Sequence, residues 1–164
     1  MLPSIKKILY ATDLSKNSRL AFGYAASLTQ QYGAQLLVLH AIEPVNPNTY
    51  THIGGMMREA EWVNIQVEFE RKIVDELGTK LREFCSHLQT TVEDIKLNDE
   101  NLLVRKGMSV DIILEVAEEI NADLIIMGTH GYGMVKDALM GGTARRIVRR
   151  SDIPVMVVRS KESD

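Results

Sequence analysis

Short runs that are apolar throughout alternate along the chain with longer stretches in which apolar residues recur every three or four positions. The first run, Lys6 to Thr12, ends at Asp13 and predicts a buried strand. A helix is expected next, with Ser15 as N-cap, an inner face of Ala21, Tyr24, Ala25, Leu28 and Tyr32, and Gly33 as the left-handed residue that ends it. Ala34 to Ile42 forms a second strand, apolar on both faces, as in parallel sheets covered by helices.

Glu43 to Arg58 has two prolines, a Gly-Gly pair and no sustained period, and is expected to be a long loop. Glu59 to Leu88 then shows helical spacing at Trp62, Phe69, Ile73, Leu77, Leu81, Phe84 and Leu88, which predicts a long amphipathic helix. Asn101 to Gly107 forms a third strand, and Ser109 is expected to cap a helix with Ile113, Val116, Ala117 and Ile120 facing inward. Asp123 to Gly128 forms the fourth strand. A glycine-rich stretch leads to a short helix with Ala144, Ile147 and Val148 inside, and Ile153 to Val158 forms the fifth.

Strands alternating with helices predict right-handed parallel crossovers and a five-stranded, doubly wound α/β sheet in a three-layer sandwich. Ligands of such sheets bind beyond the carboxyl ends of the strands, where the strand order reverses. The most economical winding sets the first and fourth strands side by side there, bringing Asp13 and Gly128 together.

Composition narrows this reading. A chain of 164 residues, 45% hydrophobic and 25% charged, is expected to form one domain over residues 1–164. A net charge of -3 gives no global attraction to nucleic acid. Cys85 is the single cysteine, which excludes an internal disulfide, and its place on an apolar stripe predicts core packing. The amino terminus enters a strand-like run at once, with no room before it for the apolar core of a signal peptide, so none is expected, and no stretch approaches the roughly 20 apolar residues of a membrane span. A cytoplasmic location is the expectation.

The glycines carry the candidate chemistry. Gly128 ends the fourth strand, Gly131 follows after two residues, and nine more separate it from Gly141 at the start of the last helix. Glycine lets backbone approach a ligand closely. A helix start adds unpaired N–H donors at the positive end of a dipole, so a turn and a helix start together can grip phosphates from two sides. Gly133, Gly142 and Thr143 add amides and a hydroxyl. The alternative is that these glycines only form a turn and a tight helix start. Asp13 likewise reads either as a ligand-facing carboxylate or as an Asx cap of the helix entry.

The chain resembles the universal stress protein family, whose nucleotide-binding members carry Gly-x2-Gly-x9-Gly-(Ser/Thr) at this place. The resemblance extends through "YATDLS", "LLVLHAI", "VRKG" before a helix, "ADLIIMGTHG" and "IPVMVV". It implies a Rossmann-like sheet of the adenine nucleotide alpha hydrolase type. It also implies that Thr12, Asp13 and Ala41 line the adenine and ribose side of the crevice and that Met127 and Gly128 flank the ribose. Gly131, Gly141, Gly142 and Thr143 would face the phosphates of ATP, with Asp13 helping to hold a magnesium or manganese ion through the nucleotide. The family's Ser or Thr after the third glycine is Gly142 here, with Thr143 one place later, so an altered phosphate contact is expected. Ser109 stands where many relatives have proline.

Other residues add little. Arg145, Arg146, Arg149 and Arg150 read as a solvated helix face, with Arg145 the one in reach of a terminal phosphate. His130 lies in the glycine loop and could touch phosphate. The four histidines lack metal-ligand spacing. No catalytic Ser/His, Cys/His or paired-carboxylate arrangement stands out, so hydrolysis of ATP is expected to be slow at most. Met56 and Met57 read as flexible apolar filler.

Three functions follow as expectations. The first is an ATP-binding regulatory protein of the stress response that acts through nucleotide-dependent contact with a protein partner. The second is a dimeric scaffold of the same fold that binds no nucleotide. The third, a flavodoxin-like redox module, lacks an aromatic pair for a flavin ring. In the family the last strand often joins two protomers, which implies a homodimer through residues 153–158. Neither nucleic acid nor a membrane is an expected partner.

Overall fold

The computed structural model describes residues 2–44, 59–89, 95, 97–129 and 140–159. Five strands form one parallel sheet: β1 (Lys7–Ala11), β2 (Gln35–Ile42), β3 (Leu102–Lys106), β4 (Leu124–Gly128) and β5 (Val155–Val158). Their order is β3-β2-β1-β4-β5, so β1 lies between β2 and β4, and β4 pairs with β1 from Ile8↔Leu124 to Ala11↔Met127. The strand order reverses between β1 and β4, as the winding argument requires.

Each strand sends alternate side chains to opposite faces, and the core divides accordingly. Ile8, Tyr10, Leu36, Val38, Leu124 and Ile126 face α1 (Ser18–Tyr32) and α2 (Glu59–Gln89). Leu9, Ala11, Leu37, Leu39, Ile125 and Met127 face α3 (Ser109–Glu119) and α4 (Gly142–Arg150). Opposite crossover directions on the two sides of the switch point put the two helix pairs on opposite faces.

Several helix details differ from the sequence reading. In α1 the buried residues are Ser18, Ala21, Phe22, Ala25 and Ala26, while Tyr24 and Tyr32 are 46% and 51% exposed. The sheet is approached through small residues, with Phe22 set edge to face against Tyr10 at a ring separation of 5.7 Å. α2 meets the core through Leu81, Cys85 and Leu88, whereas Phe69 is 47% exposed. A 31-residue helix is about 46 Å long by its rise per residue, far longer than the strands it covers. The Trp62 side chain lies outside the described residues. In α4, Ala144 and Ile147 are buried but Val148 is 47% exposed.

The expected serine caps are also corrected. The N-cap of α1 is Asn17, without a side-chain cap bond, and Ser15 instead gives its carbonyl to the amide of Ser18 at 3.2 Å. The N-cap of α3 is Met108, and Ser109 is already helical. Gly33 ends α1 with φ 61°, as expected for a left-handed C-terminal residue. Gly107, between β3 and α3, has φ 151°, and a Cβ there would lie 2.7 Å from the Ile112 side chain.

Candidate functional site

A cleft of about 390 Å³ opens beyond the carboxyl ends of β1, β2 and β4. Eight of the residues expected from sequence border it: Thr12, Asp13 and Ala41 on one side, Met127 and Gly128 at its floor, and Gly141, Gly142 and Thr143 opposite. His130 and Gly131 lie outside the described residues, as do Gly133, Met56, Met57 and nearly all of the 43–58 loop.

The β1–α1 turn forms one wall, and its own side chains hold it. Thr12 Oγ1 accepts the Leu14 amide at 3.0 Å, and Asp13 Oδ1 accepts the Ser15 amide at 3.0 Å. The Asx turn foreseen for Asp13 therefore forms, on a residue that also borders the cleft. These bonds support Leu14 at φ 64°, a conformation that is costly for a residue with a Cβ. Below, Thr12 Oγ1 donates to Ser18 Oγ at 3.1 Å, and Ser18 Oγ donates to the Ser15 carbonyl at 2.6 Å. The buried Tyr10 hydroxyl donates to the Ser18 carbonyl at 2.7 Å, and burial pushes its pKa up to about 12, so it stays protonated.

The start of α4 forms the opposite wall. Gly141 N–H donates to the Thr129 carbonyl at 2.7 Å and Thr129 N–H to the Val158 carbonyl at 3.0 Å, which fastens the helix start to the ends of β4 and β5. The first intrahelical bond is from Arg145 N–H to Gly141 at 3.0 Å. Gly142, Thr143 and Ala144 thus have no intrahelical acceptor for their amides, and all three border the cleft. A Cβ at Gly142 would meet nothing within 4 Å, so the absent side chain is not required by packing.

Sequence reasoning missed a third wall. Glu43, just past β2, accepts the Ser109 hydroxyl at 2.8 Å and the Ser109 amide at 3.4 Å, so a carboxylate 66 residues away covers the start of α3. Both residues border the cleft. His40, weighed in the sequence only as a metal ligand, also borders it, with Nδ1 2.9 Å from the Thr12 carbonyl. A carbonyl can only accept, so Nδ1 carries the hydrogen of this contact. No local sequence signal marks these contacts, because each joins elements remote in the chain.

Among the described residues, the carboxylates bordering the cleft are those of Asp13 and Glu43, and no Lys or Arg borders it. Attraction for an anion there comes from the open end of α4. No group of three or more His, Cys, Asp or Glu placed to hold a metal occurs among the described residues. Nor is any described helix long and apolar enough to cross a membrane.

A doubly wound parallel sheet with its cleft at the β1/β4 reversal defines a Rossmann-like α/β protein of the adenine nucleotide alpha hydrolase type, the fold of its structural neighbours. The chain belongs to the universal stress protein family, which it matches over residues 4–159. It is 32% identical over 157 residues to universal stress protein A homolog 1 of Coxiella burnetii, covering 96% of this chain and 98% of that one. It is 26% identical over 158 residues to universal stress protein MJ0577 of Methanocaldococcus jannaschii, with 96% and 97% covered. The solved MJ0577 structure matches with a TM-score of 0.72 over 98% of this chain and 100% of that one. A universal stress protein solved in complex with cAMP has the same fold, with a TM-score of 0.58 at 21% identity, covering 96% and 98%.

Proposed function

We propose that the protein is a nucleotide-binding regulatory member of its family, with ATP as the nucleotide, acting through nucleotide-dependent contact with a protein partner. The observation that carries this reading is the set of three amides at the start of α4, directed with the β1–α1 turn into one cleft at the switch point. A cavity of about 390 Å³ is in the size range of small-molecule sites. The complex of a fold relative with cAMP agrees in ligand class.

In this reading Gly141, Gly142 and Thr143 face the phosphates, with Gly131 and His130 from the glycine loop. Thr12, Asp13 and Ala41 serve the adenine and ribose side, and Met127 and Gly128 flank the ribose. The residues fit an anionic guest: the helix end supplies donors where no Lys or Arg side chain borders the cleft among the described residues. A carboxylate has lone pairs for several donors, so Asp13 can accept from ribose hydroxyls while holding the Ser15 amide. Magnesium or manganese arriving with ATP would neutralise phosphate charge beside Asp13. Turnover is at most slow. The chain acts as one cytoplasmic domain and dimerises through the edge strand β5, whose VMVV sequence leaves one hydrogen-bonding edge open in the sheet.

Titration calorimetry with Mg-ATP and the full chain tests the reading. Saturable heat at one site per chain is expected, together with adenine nucleotide released from freshly purified, denatured protein. Absence of both would overturn nucleotide binding and favour a scaffold of the same fold. Light scattering of the same sample should give a dimer mass, and a monomer at micromolar concentration would contradict the β5 contact.

A further inference from the structure

The two helices on one face of the sheet are segregated by charge. α3 carries Asp111, Glu115, Glu118 and Glu119 and no basic residue. α4 carries Arg145, Arg146, Arg149 and Arg150 and no acidic one. All are exposed, and in each helix they lie opposite the buried positions, Ile113, Val116 and Ala117 in α3 and Ala144 and Ile147 in α4. The two helices are neighbours, and both run back from the carboxyl to the amino end of the parallel strands. A negative stripe therefore lies beside a positive one.

Contacts within the chain use little of this pattern. Arg150 pairs with Asp111 at 2.9 Å, and Glu119 lies 3.9 Å from Arg105 of β3. Glu115, Glu118, Arg145, Arg146 and Arg149 make no ion pair with a described residue.

We propose that this face is a self-complementary surface whose occupant is a second copy of the chain. A half-turn about an axis that lies in the plane of contact, parallel to the two helices and between them, lays α3 of one copy along α4 of the other, twice, so each stripe meets its opposite. An acidic peptide or a nucleic acid, drawn to α4, is repelled by α3 alongside it, and a striped partner suffers no such conflict. The footprint is about 15 Å by 20 Å per copy from helix rise and diameter, at the small, transient end of protein interfaces. Exposed ion pairs are weak and screened, so the contact forms at low ionic strength and dissolves in salt. It uses the outward faces of the helices and not the hydrogen-bonding edge of β5, beside which α4 packs.

Sedimentation of the full chain at about 0.02 M and about 0.5 M salt, where the Debye lengths are about 20 and about 4 Å, provides the test. Two variants are compared: Arg145→Glu with Arg149→Glu, which cancels the net charge of the positive stripe, and Glu115→Lys with Glu118→Lys, which cancels that of the negative one. Wild type should gain mass at low salt over its high-salt species. Each variant alone should lose that step, with association at least about tenfold weaker, and an equimolar mixture, in which the intact negative stripe of one variant meets the intact positive stripe of the other, should regain it in part. The changed side chains are exposed, so folding is checked by circular dichroism, and the milder Arg145→Gln with Arg149→Gln pair should weaken association less. Equal mass for wild type at both salts overturns the proposal. So does low-salt association that survives undiminished in either variant alone, or a mixture that associates no better than the separate variants.

Discussion

Two helix starts border the same cleft and are used in opposite ways. At α3 the chain supplies its own anion: Glu43 accepts both the amide and the hydroxyl of Ser109. At α4 three amides remain open behind a glycine, with no carboxylate laid across them by the described residues. A helix dipole and orphan donors belong to both, so the fold alone does not make an anion site. What decides is whether a side chain elsewhere in the sequence has already taken up the amide that borders the cleft, as Glu43 does at Ser109. A strand start is covered in a comparable way at the other end of the sheet, where Asp123 Oδ2 accepts the amides of Lys6 at 2.7 Å and Lys7 at 2.9 Å at the entry to β1.

The sharpest way to break the contrast is to give α4 its own carboxylate. Gly142→Asp places an acid where a Cβ meets nothing. Nucleotide affinity by calorimetry should fall at least about 100-fold, two charge-assisted hydrogen bonds' worth, while the melting temperature rises slightly as the acid meets the helix dipole. Gly142→Pro removes one open amide and little else. Proline is tolerated at the first helical position, and Gly141 at φ -66°, ψ 158° has the extended conformation that a following proline requires. Affinity should fall about tenfold, the value of one hydrogen bond to a charged group, with the melting temperature kept.

The converse change empties the filled end. Glu43→Ala should cost about 0.5–1 kcal/mol of stability in denaturant unfolding and leave the α4 amides untouched. Gly142→Ser adds a hydroxyl beside the open amides and should tighten nucleotide binding a few-fold, the scale of one neutral hydrogen bond. The smallest effect concerns Asp123. The amides of Lys6 and Lys7 hold its carboxyl below the usual carboxylate range. A lowered folded-state pKa contributes stability that is present above the unfolded value, about 3.9, and is lost as pH falls through the folded value. Asp123→Asn should remove this part of the acid sensitivity below about pH 4, read by unfolding at stepped pH, and should leave stability near neutrality nearly flat with pH.

The sequence was most legible where periodicity and topology act together. Two-sided apolar strands with intervening helices fixed the parallel sheet and the adjacency of β1 and β4, which assembled Thr12, Asp13, Ala41, Met127, Gly128, Gly141, Gly142 and Thr143 around one cleft. Periodicity misplaced the α1 face because neighbouring registers satisfy the same spacing. Contact with the sheet selected Ala21, Phe22, Ala25 and Ala26 over Tyr24 and Tyr32. The caps were misjudged for a related reason: Ser109 looked like a local cap, yet its partner is Glu43, 66 residues away. His40 was equally opaque, since its bond to the Thr12 carbonyl arises only once β1 and β2 are paired.

The central claim is that the open end of α4 receives a phosphate group, and amide chemical shifts read it at the atoms concerned. In a nitrogen–proton correlation spectrum of the full chain titrated with Mg-ATP, the amides of Gly142, Thr143 and Ala144 should shift together and saturably, while that of Ser109 moves little. Unmoved α4 amides at saturating nucleotide, with or without shifts elsewhere, would contradict the account.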